Sequence, residues 1–187
     1  IGEWVLHQAC KQAKSWHDAG YGPLSIAVNV SAVQLGQPQL LSSVANVLSK
    51  TGLHPAYLEL EITESAVMQD MEHTALALRQ LKDLGISIAI DDFGTGHSSL
   101  SYLTRLPLDV LKIDRSFVAP LPNSQQDGEV VRAIIALANS LHLAVVAEGV
   151  ETAERQAFLL EQGCTLAQGY FFARPLPAEQ ITPLLKP

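Results

Sequence analysis

Short apolar runs rich in β-branched residues recur along the chain, and nearly every one ends in an acid, an amide or a lysine. Asn29 follows Leu24-Ser25-Ile26-Ala27-Val28, and Glu61 and Glu64 follow Tyr57-Leu58-Glu59-Leu60. Asp91 and Asp92 follow Ile86-Ser87-Ile88-Ala89-Ile90; Lys112 and Asp114 close Val110-Leu111; Glu148 and Glu151 close Ala144-Val145-Val146-Ala147. Runs of this kind read as parallel strands buried on both faces. Amphipathic helical stretches separate most of them, so the class is α/β with a mostly parallel sheet. Polar residues after nearly every strand favour a TIM-type (β/α)8 barrel, whose strand ends share one rim. The generic alternative is a doubly wound open sheet, which would gather such residues at one switch point.

The expected order is a helix over 1–19, then six strands over 24–30, 57–62, 86–90, 110–113, 144–147 and about 166–172. Helices over 39–50, 70–84, 98–105, 127–141 and 152–162 alternate with them, and a short terminal helix follows Pro177. On the first helix Trp4, Val5, Ala9, Ala13 and Trp16 recur near the helical period. Eight strands are the usual closure number, and a helix leads here. The reading is therefore one domain over 1–187, incomplete at its N-terminus, with the first two strands missing from the chain.

Charge narrows the chemistry. The net charge is −7, against a long groove for polymeric nucleic acid. Glu61, Glu64, Asp91, Asp92, Asp114, Glu148 and Glu151 account for the whole excess of 19 acidic over 12 basic residues. If they converge, they repel one another and raise each other's pKa unless cations neutralise them. No apolar stretch is long enough to span a bilayer, so no membrane contact is expected from this segment. Cys10 and Cys164 form neither a CxxC motif nor a disulfide framework, which suits a cytoplasmic setting.

Taken singly, the candidate residues leave two readings each. Asp91-Asp92 can bridge and hold two metal ions, or cap a turn. Asn29 and Glu61 offer hard oxygen ligands for Mg²⁺ or Mn²⁺, or are ordinary strand-end polar residues. Lys112 in an apolar strand needs an anion, which can be a substrate phosphate or a neighbouring Asp91 or Asp114. Glu148 can accept a proton from water, while Glu151 also fits first-turn helix charge. The Gly94-Thr95-Gly96 loop can cradle phosphate or be a plain turn. Gln168 can bond a base or a phosphate, and Arg174 more readily pairs with a carboxylate. The histidines lack ligand spacing, and only His97 lies beside the glycine loop.

Taken together, these residues resemble the EAL-domain family, the bacterial phosphodiesterases of cyclic di-GMP. The matching segments are Asn29-Val30-Ser31, Glu61-Ile62-Thr63-Glu64, Asp91-Asp92-Phe93-Gly94-Thr95-Gly96, Lys112-Ile113-Asp114, Glu148-Gly149-Val150-Glu151 and Gln168-Gly169-Tyr170. They occur in order and cover essentially the whole chain. The resemblance implies a (β/α)8 barrel with one strand antiparallel to the rest, and hydrolysis of cyclic di-GMP to linear pGpG with two Mg²⁺ or Mn²⁺ ions. It implies metal-site roles for Asn29, Glu61, Asp91 and Asp92, a place near the hydrolytic water for Lys112, and a general base in Glu148. Glu151, Gln168 and Asp114 become supporting or substrate-facing residues. Glu64 becomes the anchor of the loop Phe93, Gly94, Thr95 and Gly96, which the family also uses in dimerisation.

The resemblance further implies a homodimer, with sensor or GGDEF-type domains in the parent chain that could attach it to the inner membrane. Two departures stand out. The family's name-giving Glu-Ala-Leu segment, with its ligand glutamate and a following arginine, has no counterpart in this chain, and His97 replaces a frequent tyrosine. The alternatives are a catalytically impaired module that binds cyclic di-GMP or only dimerises, and an unrelated metal-dependent barrel hydrolase.

Overall fold

The structure is a computed structural model and describes residues 2–95 and 102–185. It divides into two compact units: Ile1–Ile88 with Arg105–Pro107 and Leu176–Pro187, and Ala89–Thr104 with Leu108–Pro175.

The first unit opens with α1 (Gly2–Asp18), whose buried stripe is Leu6, Cys10, Ala13 and Trp16. Trp4 and Val5, expected on that stripe, are 66% and 41% exposed. Starting the count from Trp4 places the apolar face one step out of phase, because Leu6 and Cys10 carry the period. The indole N–H of Trp16 donates to Thr182 Oγ1 at 2.9 Å, tying α1 to the C-terminal segment. β1 (Ile26–Asn29) runs parallel to β2 (Leu58–Thr63), in continuous register from Ile26↔Leu58 to Asn29↔Glu61.

Between them lie α2 (Ala32–Leu35) and α3 (Leu40–Thr51). α2 was not expected, although Ser31-Ala32-Val33-Gln34 spells a capping box. Ser31 Oγ accepts from Gln34 N at 3.3 Å, and Ser31 N donates to Gln34 Oε1 at 3.2 Å. α3 stops at Gly52, whose φ of 70° supplies the left-handed cap. After β2 the chain forms α4 (Glu64–Gln69) and α5 (Met71–Asp83), where one helix from residue 70 was expected. Asp70 separates them, its carboxylate accepting from His73 N at 3.1 Å. Leu58, Leu60, Ile62, Val44, Leu78 and Leu81 make the core of this unit. Each contributes about 1.5–3 kcal/mol of apolar burial.

The second unit starts within β3 (Ser87–Phe93). It continues through β4 (Val110–Ile113), α6 (Arg115–Val118), α7 (Gln125–Ser140), β5 (Ala144–Ala147), α8 (Ala153–Glu161) and β6 (Leu166–Ala167). α9 (Ala178–Ile181) belongs to the first unit. β4 pairs in parallel with β3 and with β5, and β5 with β6, each strand beside its neighbour in sequence. The described pairings are all parallel, and the antiparallel strand implied by the resemblance is not among them.

Two expectations change here. β3 runs through Asp91 and Asp92 to Phe93 rather than stopping at Ile90. The last strand is only Leu166–Ala167, because Gly169 and the following residues turn. Of the helix expected over 98–105, residues 98–101 lie outside the described ones and 102–105 are mainly turn. The buried face of α7 is Val131, Ile134, Ile135 and Ala138, against β4 and β5.

Candidate active site

In the second unit the carboxylates gather around one ammonium. Lys112, from the middle of β4, is 3% exposed. Its Nζ lies 3.1 Å from Asp91 Oδ1 and 2.6 Å from Glu148 Oε1. A lysine so deep in apolar surroundings persists only when its charge is paired, and two anions do that here. Gln168 Nε2 donates to the same Glu148 oxygen at 2.6 Å. Glu148 is also fixed through its backbone, its N–H donating to Ile113 O at 3.1 Å. Asp91, Asp92 and Glu148 each bring a carboxylate oxygen within 4.8 Å of the others.

The strand geometry explains how adjacent aspartates serve one place. Successive residues in a regular strand point to opposite faces. Between Ile90↔Leu111 and Phe93↔Ile113, β3 has two residues, Asp91 and Asp92, where β4 has one, Lys112. This is a β-bulge, which bends the strand and re-aims side chains. Asp92 takes φ 54°, a left-handed conformation that Asp tolerates better than most residues. The Asp92 N–H is met by the Asp91 carboxylate at 3.0 Å. The Asp92 carboxyl is raised above its usual range, first by burial, then by the charges of Asp91 and Asp114, with Lys112 opposing.

Two glycines complete the framework. Gly149 has φ 67°, and a Cβ there would lie 2.6 Å from Arg115 Cβ. Gly169 has φ 155°, and a Cβ there would lie 2.1 Å from Val150 O. That approach lets Val150 N donate to Gln168 O at 3.1 Å and Phe171 N to Val150 O at 3.0 Å, which sets Gln168 beside Glu148. The sequence reading gives these glycines no role. Their signal is the position of each directly after a functional side chain.

Other expected residues fall differently. Asp114 caps α6, its carboxylate accepting from Ser116 N at 2.9 Å. Glu151 is exposed and pairs with Arg155 at 3.5 Å. Arg174 stacks over Tyr170, 4.5 Å from the ring centre, rather than on a carboxylate. Phe93 is buried, Gly94 has φ 99°, and Thr95 Oγ1 donates to Asp92 O at 2.9 Å. Gly96 and His97 lie outside the described residues.

In the first unit, Asn29 at the end of β1 and Glu61 within β2 stand at one register level, Asn29 exposed and Glu61 buried. Asn29 also lines a cavity of about 300 Å³ with Gln34, Gln37 and Ser43. Glu64, 3% exposed, is the first residue of α4. Among the described residues, no helix is long and apolar enough to cross a membrane.

Known structures share this fold over most of the chain. The EAL domain model matches residues 1–175. Cyclic di-GMP phosphodiesterase NbdA of Pseudomonas aeruginosa is 50% identical over 186 residues, covering 100% of this chain and 24% of its own length. The chain thus spans about a quarter of that relative. The solved PaMucR phosphodiesterase, in complex with c-di-GMP, superposes with a TM-score of 0.93 at 49% identity, over 97% of this chain and 73% of its own. The EAL domain of Mycobacterium smegmatis DcpA gives 0.94 at 46%, over 99% and 83%. The fold class is therefore the expected one, α/β of the EAL barrel type, with six parallel strands. On the match along the chain and on the fold, this protein belongs to the EAL-domain family.

Proposed function

We propose that this domain hydrolyses cyclic di-GMP to linear pGpG with two Mg²⁺ or Mn²⁺ ions. The observation that carries the reading is buried Lys112 held between Asp91 and Glu148, with Asp92 beside them. Carboxylate oxygens fit Mg²⁺ or Mn²⁺ better than zinc, and the cluster contains neither His nor Cys among the described residues. Asn29, Glu61, Asp91 and Asp92 would hold the ions. Bound, these would polarise the phosphodiester and lower the pKa of a water.

The chain's own groups do the rest. Glu148 takes a proton from the attacking water, and Gln168 holds that carboxylate in place. Lys112 orients the water and offsets negative charge growing on the phosphate. The water oxygen bonds to phosphorus and a P–O3′ ester bond breaks; O3′ leaves with the bonding pair, takes a proton from solvent and becomes a hydroxyl, and the phosphate stays on the 5′ oxygen of the linear product. Asp114 supports the site through its cap on α6, and Glu151 through Arg155. By the family resemblance, Glu64 would be the loop anchor. The working form is a homodimer, in a parent chain with sensor or GGDEF-type domains.

One observation favours a second role for Glu148. Its carboxylate sits with those of Asp91 and Asp92, so it could ligate an ion rather than accept a proton. Glu148→Gln separates the roles: turnover falls in both, but Mn²⁺ affinity falls only if Glu148 is a ligand.

The test of the reading is cyclic di-GMP incubated with Mg²⁺ or Mn²⁺ and this chain, beside a form extended upstream by about two strand–helix units. Formation of pGpG by either supports hydrolysis. Binding of the dinucleotide without turnover by both would replace it with the receptor reading.

A further inference from the structure

We propose that α6 is a strut that sets the spacing of the two catalytic turns, with Arg115 and Phe117 as positioning residues. The inference rests on the preceding reading that Asp91, Asp92 and Glu148 act together. α6 has only four residues, Arg115–Val118, yet it touches the turns after β3 and after β5. On one side the Phe117 ring covers the glycine that follows Asp91-Asp92-Phe93. A Cβ at Gly94 would stand 2.8 Å from Phe117 Cε2 and 3.2 Å from Cζ. On the other side the Arg115 stem covers the glycine that follows Glu148. A Cβ at Gly149 would stand 2.6, 3.0 and 3.2 Å from Arg115 Cβ, Cγ and Cδ. Each glycine thus lies close enough to α6 that even a methyl group would not fit between its turn and the helix.

The strut is itself held at both ends. Asp114 caps its start through Ser116 N, and the Arg155 guanidinium donates to Ala119 O at its finish. Arg155 also reaches Glu151, at the far end of the Glu148 turn. Arg115 and Arg155 thus flank the turn that carries Glu148. Displacing a catalytic group by about 1 Å can cost 100-fold in rate.

The atom that a Cβ at Gly149 would meet first is Arg115 Cβ, which makes the claim specific. Gly149→Ala should lower kcat by roughly tenfold to 100-fold, with KM changed by less than about twofold because substrate binding is spared. It should also speed exchange of the Glu148 amide hydrogen. Adding Arg115→Gly, which removes the opposing Cβ, should restore part of both, the left-handed φ of 67° at residue 149 accounting for the remainder. Adding Arg115→Ala instead should restore neither, since that Cβ remains. Phe117→Ala should lower kcat in the same way. The kinetics use whichever form turns over in the assay above, and exchange is read on this chain. Failure of Arg115→Gly to rescue, or rescue by Arg115→Ala as well, would overturn the strut. Restored amide protection with no turnover in any form would support the strut and overturn the proposed hydrolysis alone.

Discussion

The ends of β2 and β3 carry the same kind of residue on differently built backbone. Glu61, near the end of β2, stands in unbroken register with Asn29, as any parallel pair would. Asp91 and Asp92 close β3 on a bulge, with a left-handed residue, beside a buried lysine. A regular strand end presents one polar side chain to a given face. Two adjacent carboxylates can serve one place only if the backbone departs from regularity, and such departures collect at functional sites. The comparison locates the structure's specialised backbone in the second unit. The first unit is held by ordinary means: a capping box, a left-handed glycine cap and an aliphatic core.

The sharpest way to break the contrast is Lys112→Met. It leaves the Asp91 and Glu148 carboxylates facing each other without their ammonium. A loss of about 3–5 kcal/mol is expected, read from the urea midpoint, because removing one partner strands a buried charge. Gly169→Ala comes next. Its Cβ has no space against Val150 O, so about 1–3 kcal/mol should be lost through forced backbone shifts.

Asp92→Asn has a smaller effect that changes with pH. The Asp92 pKa is raised in the fold, chiefly by burial, so its favourable contribution is complete below the unfolded carboxylate pKa. That contribution is lost as pH rises through the folded value. Without added metal, Asp92→Asn should melt above wild type near neutral pH and lose that advantage in acid. Asn also accepts a left-handed φ, so the bulge survives the change. An advantage that persists in acid would refute the electrostatic account. Asn29→Ala, on the exposed and regular side of the comparison, should change stability by less than about 0.5 kcal/mol. If Asn29→Ala rivals Lys112→Met, the contrast between the two strand ends fails.

Much of the fold was legible because its signals are local. β4 over Val110–Ile113 and β5 over Ala144–Ala147 stand where their apolar runs place them. The helix ends at Gly52 and Gly85 follow from glycine chemistry. The hydrophobic period does not reveal α2, although its capping box is written in four residues, nor α4, which precedes the helix that the period starts at Asp70. The site was legible as a list of residues but not as an arrangement. Asp114 reads as a candidate site residue, yet its carboxylate caps a helix, and Lys112 could have paired with either aspartate.

The sequence by itself determined the α/β class, the alternation of elements and the family, because hydrophobic period and motif order depend only on neighbours along the chain. The tertiary structure decided that Lys112 takes Asp91 and Glu148 as partners, that β3 bulges at the aspartates, and that Gly149 and Gly169 admit close approach. Each of these depends on which strand lies alongside and in what register. Register is set by packing between segments far apart in the chain, and a shift of one residue would turn every one of these side chains to the opposite face.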